Sequence, residues 1–197
     1  MTFVQLLAIA LTAAITENMV FCRGLGQGFQ HPEQKRVADL LVMGCNTTLL
    51  TTLAAVSGWL GQLLCDNVWK LLSWTRPLLY LAIYAVAIMV GMLLIQACGA
   101  VLDRTLSTVS AKLVYGFVPL GTLFVIGNGS FSGWEVVFYG LGTGAGFLLA
   151  SLVNYSLQRR LQHCDLPTAF RGMPITLLTL GMLSLAIFGL LGHPLVN

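Results

Sequence analysis

Charged residues are so sparse and so clustered in this chain that six stretches hold no Asp, Glu, Lys or Arg at all: residues 1–16, 40–65, 77–102, 113–134, 136–158 and 172–197. About 20 apolar residues are enough to cross the hydrocarbon of a bilayer as a helix, so this spacing predicts six transmembrane segments. Composition points the same way. Charged residues make up 9% of the chain against 57% hydrophobic, and mean hydropathy is +0.85, whereas a soluble domain carries roughly a quarter charged residues to cover its surface. The expected fold is an all-α integral membrane domain over residues 1–197, with connections too short to hold a separate soluble unit. The first segment has no Lys or Arg ahead of its apolar run, unlike a secretory leader, and is expected to stay as a helix.

The ten bases explain the net charge of +3 by their sidedness rather than by affinity for nucleic acid. Eight of them, Arg23, Lys35, Arg36, Arg104, Lys112, Arg159, Arg160 and Arg171, fall in the first, third and fifth loops; Lys70 and Arg76 fall in the second. An excess of bases marks cytoplasmic loops, which predicts both termini outside. The five cysteines, Cys22, Cys45, Cys65, Cys98 and Cys164, form no Cys-x-x-Cys pair and read as small membrane-core residues rather than a disulfide or zinc framework. His31, His163 and His193 read as surface residues, and no catalytic triad, carboxylate pair or metal-spaced cluster points to a self-contained hydrolase or metalloenzyme.

Run lengths reveal an organisation that composition hides. Residues 1–16 rise only about 24 Å as a helix, short of the roughly 30 Å hydrocarbon layer, before "ENMVFCRGLGQGF" introduces Glu17, Asn18, Gly24, Gly26 and Gly28. The fourth segment contains Pro119 and Gly121 and is interrupted at Gly127, Asn128 and Gly129 in "GNGSFSG". These short segments are each the first of a group of three. Three crossings reverse the chain, so two such groups, about 1–103 and 104–197, would be inverted repeats, and paired interruptions mark a midplane site. Either the first helix stops inside the protein, or it runs on to Arg23 with Glu17 and Asn18 near the cytoplasmic interface. An ionisable residue within a span marks a pathway or a pair, which singles out Glu17, with Arg23 as a possible partner.

Two further patterns read as packing. In "YGLGTGAGF", Gly140 with Gly144 and Gly142 with Gly146 are spaced four apart, which lets helix backbones approach closely in lipid; the surroundings of a nucleotide loop are missing. In "GCNTTLLTT", Thr47, Thr48, Thr51 and Thr52 are expected to bond to their own helix or to a neighbour.

At "LPTAFRGMPITLLTLGMLSLAIFGLLG" the chain resembles the last loop and helix of the Rnf/Nqr family of membrane subunits. The resemblance extends to "YGLGTGAGF", "YGFVPLGTL", "MGCNTTLLTTLA" and "ENMVFCRGLG". It implies six helices in two inverted triplets with the first and fourth broken. It also implies a prokaryotic inner membrane, a related subunit of opposite orientation within a larger complex, and a role in the ion or electron path of an ion-pumping oxidoreductase. In that family each broken helix supplies a cysteine which, with two from the partner, holds a two-iron two-sulfur cluster. Here Gly28 stands at the first position and Val125 or its neighbour at the second, and Cys22, six residues before Gly28, is the thiol left to contribute in a changed register. The cofactor thus stays open. Two alternatives follow from the unmatched cysteines: a small-ion or solute transporter of the same fold without redox activity, or a structural scaffold.

Overall fold

The computed structural model describes residues 3–25, 37–67, 76–99, 117–161, 163–164, 167 and 170–191. Among them are six helices and no strand: α1 Phe3–Ile15, α2 Val37–Asn67, α3 Arg76–Gly99, α4 Phe117–Asn128, α5 Gly133–Leu161 and α6 Met173–Leu191. Two are long and apolar enough to cross a bilayer, over Leu40–Leu64 and Gly133–Leu161, and the others are shorter and apolar. Gly26, Gly28, His31 and His193 lie outside the described residues.

The long helices run past the charge-free stretches because charges at their ends belong to them. At the start of α5, the Glu135 carboxylate accepts the Ser132 N–H at 2.7 Å, the acid's half of a capping box, and the Ser132 carbonyl takes the first helical N–H, that of Val136. At its end Arg159 and Arg160 face the negative pole of the helix dipole. By contrast α1, with 13 residues, and α4, with 12, rise only about 20 Å and 18 Å at 1.5 Å per residue.

Helices α2 and α5 form the central pair, with α1 alongside α5 and α4 alongside α2. Contact registers give their directions. Gly144 of α5 meets Thr48 while Gly140 meets Thr52, so α2 and α5 are antiparallel. Ala10 lies beside Gly142 and Ala14 beside Gly146, so α1 runs parallel to α5. Leu123 lies beside Gly58 and Gly129 beside Gln62, so α4 runs parallel to α2. The neighbours α1 and α2, and likewise α4 and α5, therefore run in opposite directions, as successive crossings require.

The glycines of α5 explain how three helices come so close. A Cβ on Gly140 would sit 2.8 Å from the Thr52 Cα, one on Gly146 would sit 2.7 Å from the Ala14 carbonyl oxygen, and those on Gly142 and Gly144 would strike the backbones of Ala10 and Thr48. Spacing by four puts one glycine pair against α1 and the other against α2, which gives backbone contact on two sides. The threonines of α2 bond as expected. Thr47 donates to the Met43 carbonyl at 2.8 Å, and Thr51 reaches across to the Gly140 carbonyl at 3.0 Å.

Outside this core the surface is apolar. Leu78, Val86 and Met89 on α3 and Met182, Leu185 and Leu190 on α6 are all more than 60% exposed, more apolar surface than water tolerates on a soluble monomer.

Candidate functional site

Why α1 stops at Ile15 is visible in its next ten residues. The Glu17 N–H reaches back five residues to the Thr12 carbonyl at 2.9 Å, an over-wide bond that takes the chain off the helical path. Asn18, 2% exposed, then engages both ends of its amide. Its Nδ2 donates to the Ala14 carbonyl at 2.8 Å and to the Gly146 carbonyl of α5 at 3.0 Å. Its Oδ1 accepts the Val20 N–H at 2.9 Å and the Phe21 N–H at 3.4 Å. One side chain thus satisfies the end of α1, the start of the following turn and a carbonyl of the neighbouring helix, which low-dielectric surroundings require.

The turn closes at Gly24, whose φ of +66° is the left-handed region that glycine enters without strain. Its N–H bonds to the Val20 carbonyl at 3.1 Å, a left-handed helix cap. Within the turn Met19, Val20 and Phe21 are buried. Ser184 of α6 donates to the Phe21 carbonyl, which ties the last helix to the first break.

Glu17 points outward from this turn. Its exposed side chain accepts a hydrogen bond from the Tyr139 hydroxyl at 2.7 Å, within the range of a charge-assisted bond. Tyr139 is 3% exposed, and its ring lies 5.3 Å from that of Phe131. The hydrogen-bonding partner of the acid is therefore Tyr139 of α5 rather than the anticipated Arg23. Exposed Cys22 donates its thiol to the Thr16 carbonyl at 3.1 Å.

The second interruption is built from different parts. Pro119 sits in the first described turn of α4 and is buried. Gly121 is mid-helix, and the space it leaves is filled by Leu25, with the Met19 sulfur also nearby. At the far end the Gly127 carbonyl accepts the Tyr80 hydroxyl at 2.6 Å and the Gly129 carbonyl accepts the Gln62 amide at 2.9 Å. Asn128 is exposed and bonds back to the Phe124 carbonyl at 3.0 Å.

The structure therefore brings Glu17, Asn18 and Gly24 together in one turn and sets that turn against α4 at Gly121. It does not bring them against Gly127, Asn128 and Gly129. Those lie with Gln62 and Tyr80, and their link to the first break runs through Phe131, packed on Gly129, and then Tyr139. Sequence reasoning missed Tyr139, Gln62, Tyr80 and Ser184. Each is a lone polar side chain in an apolar run whose carbonyl or carboxylate partner is distant in sequence, so no local signal marks it.

A separate concavity of about 660 Å³ opens between α2 and α3, walled by Leu53, Val56, Leu60, Ile83, Val86 and Val90. Its one hydroxyl, Ser57, is bonded to the Ala54 carbonyl, so it lacks the convergent polar groups of a chemical site.

At the second aligned position, Val125 or its neighbour, the chain offers no thiolate toward a tetrathiolate cluster: Val125 is a hydrocarbon side chain packed against the apolar core. No step is derived through such a cluster.

Comparison with known proteins gives the same picture over almost the full length. The model of a family described as "Rnf-Nqr subunit, membrane protein" matches residues 6–193. Among curated proteins, the chain is 29% identical over 191 residues to the A-type subunit of the ion-translocating oxidoreductase complex of Glaesserella parasuis, covering 96% of this chain and 97% of that one. It is 27% identical to the corresponding protein of Syntrophotalea carbinolica, covering 95% and 97%. It is 28% identical to that of Aromatoleum aromaticum, covering 93% and 95%.

Proposed function

The chain belongs to the Rnf-Nqr family of membrane subunits, and on that premise we propose that it is the A-type subunit of an ion-translocating oxidoreductase complex. In this reading it lies in a prokaryotic inner membrane, crosses six times with both termini outside, and borders the ion or electron path beside a related subunit of inverted orientation. The observation that carries the path is Glu17. A carboxylate is costly at membrane depth unless it faces a partner, a cavity or a conducted ion, and this one stands on the turn where α1 stops, held by Tyr139 at 2.7 Å.

The arrangement of two inverted triplets is supported by the reciprocal pairing of the helices. Helix α1 lies parallel to α5 of the other triplet and α4 parallel to α2, around the antiparallel α2 and α5. Two inverted triplets would exchange these contacts through a two-fold axis in the membrane plane.

The test is to purify the tagged chain from its native membrane in mild detergent and identify the membrane subunits that accompany it. Vesicles of the same membrane are then assayed for ion uptake driven by an electron donor. Co-purification of a related six-helix subunit is expected, with uptake lost in Glu17→Gln while the complex still assembles. A chain that purifies alone, or uptake indifferent to the donor, refutes the reading.

A second reading, a transporter of this fold without redox activity, is favoured by one observation: an apolar Val125 where the family places a cluster ligand. Ion flux that needs no donor yet is abolished by Glu17→Gln selects it.

A further inference from the structure

We propose that the concavity between α2 and α3 is a binding slot for one acyl chain of a membrane phospholipid, in the leaflet that holds the C-terminal end of α2. The proposal needs only that the protein lies in a bilayer, and it stands apart from any ion or electron path.

The extent of the slot along its two helices is the first observation. It runs from Leu53 to Leu64 on α2 and from Leu79 to Val90 on α3, and each stretch rises about 17 Å at 1.5 Å per residue. The apolar span of α2 is Leu40–Leu64, so Thr52 stands at its middle and the slot covers the half beyond. Half of a roughly 30 Å hydrocarbon layer is about 15 Å. The slot is therefore one leaflet deep, which is the reach of an acyl chain. A membrane-spanning helix of a partner protein would cross both leaflets.

Its cross-section gives the second. Helices α2 and α3 close on each other at two notches: Ile83 and the Tyr80 ring lie over Gly61, and Leu50 lies over Gly91. Between the notches the lining residues Ser57 and Ala87 are small and half-buried, while Leu60, Leu64, Val86 and Val90 stand exposed as rims. The result is a furrow with a fixed floor and aliphatic walls. Its volume is about 660 Å³. A helix with its side chains is about 10–12 Å across and would need on the order of 1,300–1,900 Å³ over the same length. A single extended hydrocarbon chain is slender enough to enter.

The slot can be neither wet nor empty without loss. Its one hydroxyl, that of Ser57, donates to the Ala54 carbonyl at 2.9 Å, and the other walls are hydrocarbon, so a water would lack the several polar partners it needs. A void would deprive the walls of dispersion contacts. In a bilayer no hydrophobic gain separates a bound acyl chain from a free one. What separates them is contact on three sides, against walls that the two notches hold in place. The seated acyl chain also packs at the level of Tyr80, whose hydroxyl clasps the Gly127 carbonyl at 2.6 Å, and so supports the second break from the lipid side.

The experiment uses the full protein, purified in mild detergent, supplied with phosphatidylethanolamine and phosphatidylglycerol, and read by native mass spectrometry. Wild type is expected to retain one phospholipid. Ala82→Phe puts a ring on the slot wall and is expected to lower retention about tenfold by overfilling it. Ala85→Phe puts the same ring on an exposed position of α3 outside the slot and is expected to leave retention unchanged. Wild type alone gives a further measurement that no folding defect can blur: across phospholipids of increasing acyl length, retention is expected to rise until the acyl chain reaches leaflet depth and then to level off. Three results overturn the proposal. The first is a wild type that retains no phospholipid, as when another part of the protein fills the slot. The second is retention that Ala82→Phe and Ala85→Phe affect equally, including the case in which Ala82→Phe instead releases a co-purifying membrane subunit. The third is retention indifferent to acyl length.

Discussion

The two interruptions differ in who holds them. The first is held from within and from behind, by its own Asn18 and by the glycine-lined backbone of α5. It presents a carboxylate to the outside. The second is held by side chains from other helices, Tyr80 of α3 and Gln62 of α2, each clasping one carbonyl, and α4 carries no charge at all. Asn18 alone makes four of the hydrogen bonds at the first break, beside a carboxylate bonded to Tyr139. The second break divides its clasped carbonyls between two independent side chains. The pair therefore separates the work that a family of two-break proteins could share equally.

The sharpest way to break this comparison is at the two clasping amides. Asn18→Leu, alike in branching but without the amide, strands buried partners on both sides of the turn at about 1–3 kcal/mol each. It is expected to abolish accumulation of the folded chain. Gln62→Leu, at the second break, strands one carbonyl and is expected to leave a folded chain with a melting temperature lower by a few degrees, about 1 kcal/mol. Fluorescence-detected size exclusion and tryptophan-monitored melting read both. Similar losses from the two would erase the distinction.

Next in size is a glycine pair. A Cβ on Gly146 meets the Ala14 carbonyl oxygen at 2.7 Å and the Asn18 amide at 3.0 Å, backbone and a fixed side chain that cannot yield. Gly146→Ala is expected to cost about 2–3 kcal/mol, the upper range for overpacking. At the second break, Gly129→Ala collides first with the Phe131 ring and only then with the Val125 carbonyl oxygen, at 3.1 Å. An aromatic ring beside a loop can turn aside, so the expected loss is about half as large. Thermal melting of the two variants side by side measures the ratio.

Smaller again is Tyr80→Phe, which deletes the hydroxyl on the Gly127 carbonyl and is expected to cost about 1 kcal/mol, while ion uptake in vesicles of the complex stays near wild type. Smallest is Cys22→Ser. The exposed thiol only touches the Thr16 carbonyl, a contact that a hydroxyl can make as well, so a change in melting within about 0.5 kcal/mol is expected. A larger loss would mean that Cys22 has an undescribed bond.

How far the sequence reaches follows from which forces are local. Charge-free runs place the helices to within a few residues, because excluding charge from hydrocarbon acts position by position. The four-residue glycine spacing on α5 foretells backbone contact because small size is a property of the residue itself. The short first and fourth segments can be read from length alone. Choosing between a helix that stops before Glu17 and one that runs to Arg23 is beyond local patterns, since it is settled by Asn18 bonding to Gly146, 128 residues away. The pairing of Glu17 with Tyr139, 122 residues apart, is hidden for the same reason. Charge complementarity points to Arg23, and a tyrosine within an apolar run looks like packing until its hydroxyl is seen to have a partner. Gly121 has a role that no local pattern reveals: it makes room for Leu25.

The glycine face of α5 has a mechanical consequence. Where two neighbours press their main chains directly onto a third, no side-chain layer is left to act as a bearing, and neither rotation nor sliding is possible without prying the helices apart. Helices α1, α2 and α5 therefore move as a single keel. Helix α6 is joined to that keel differently, with Gly181 and Gly189 facing open space and a hydrogen bond from Ser184 to the Phe21 carbonyl.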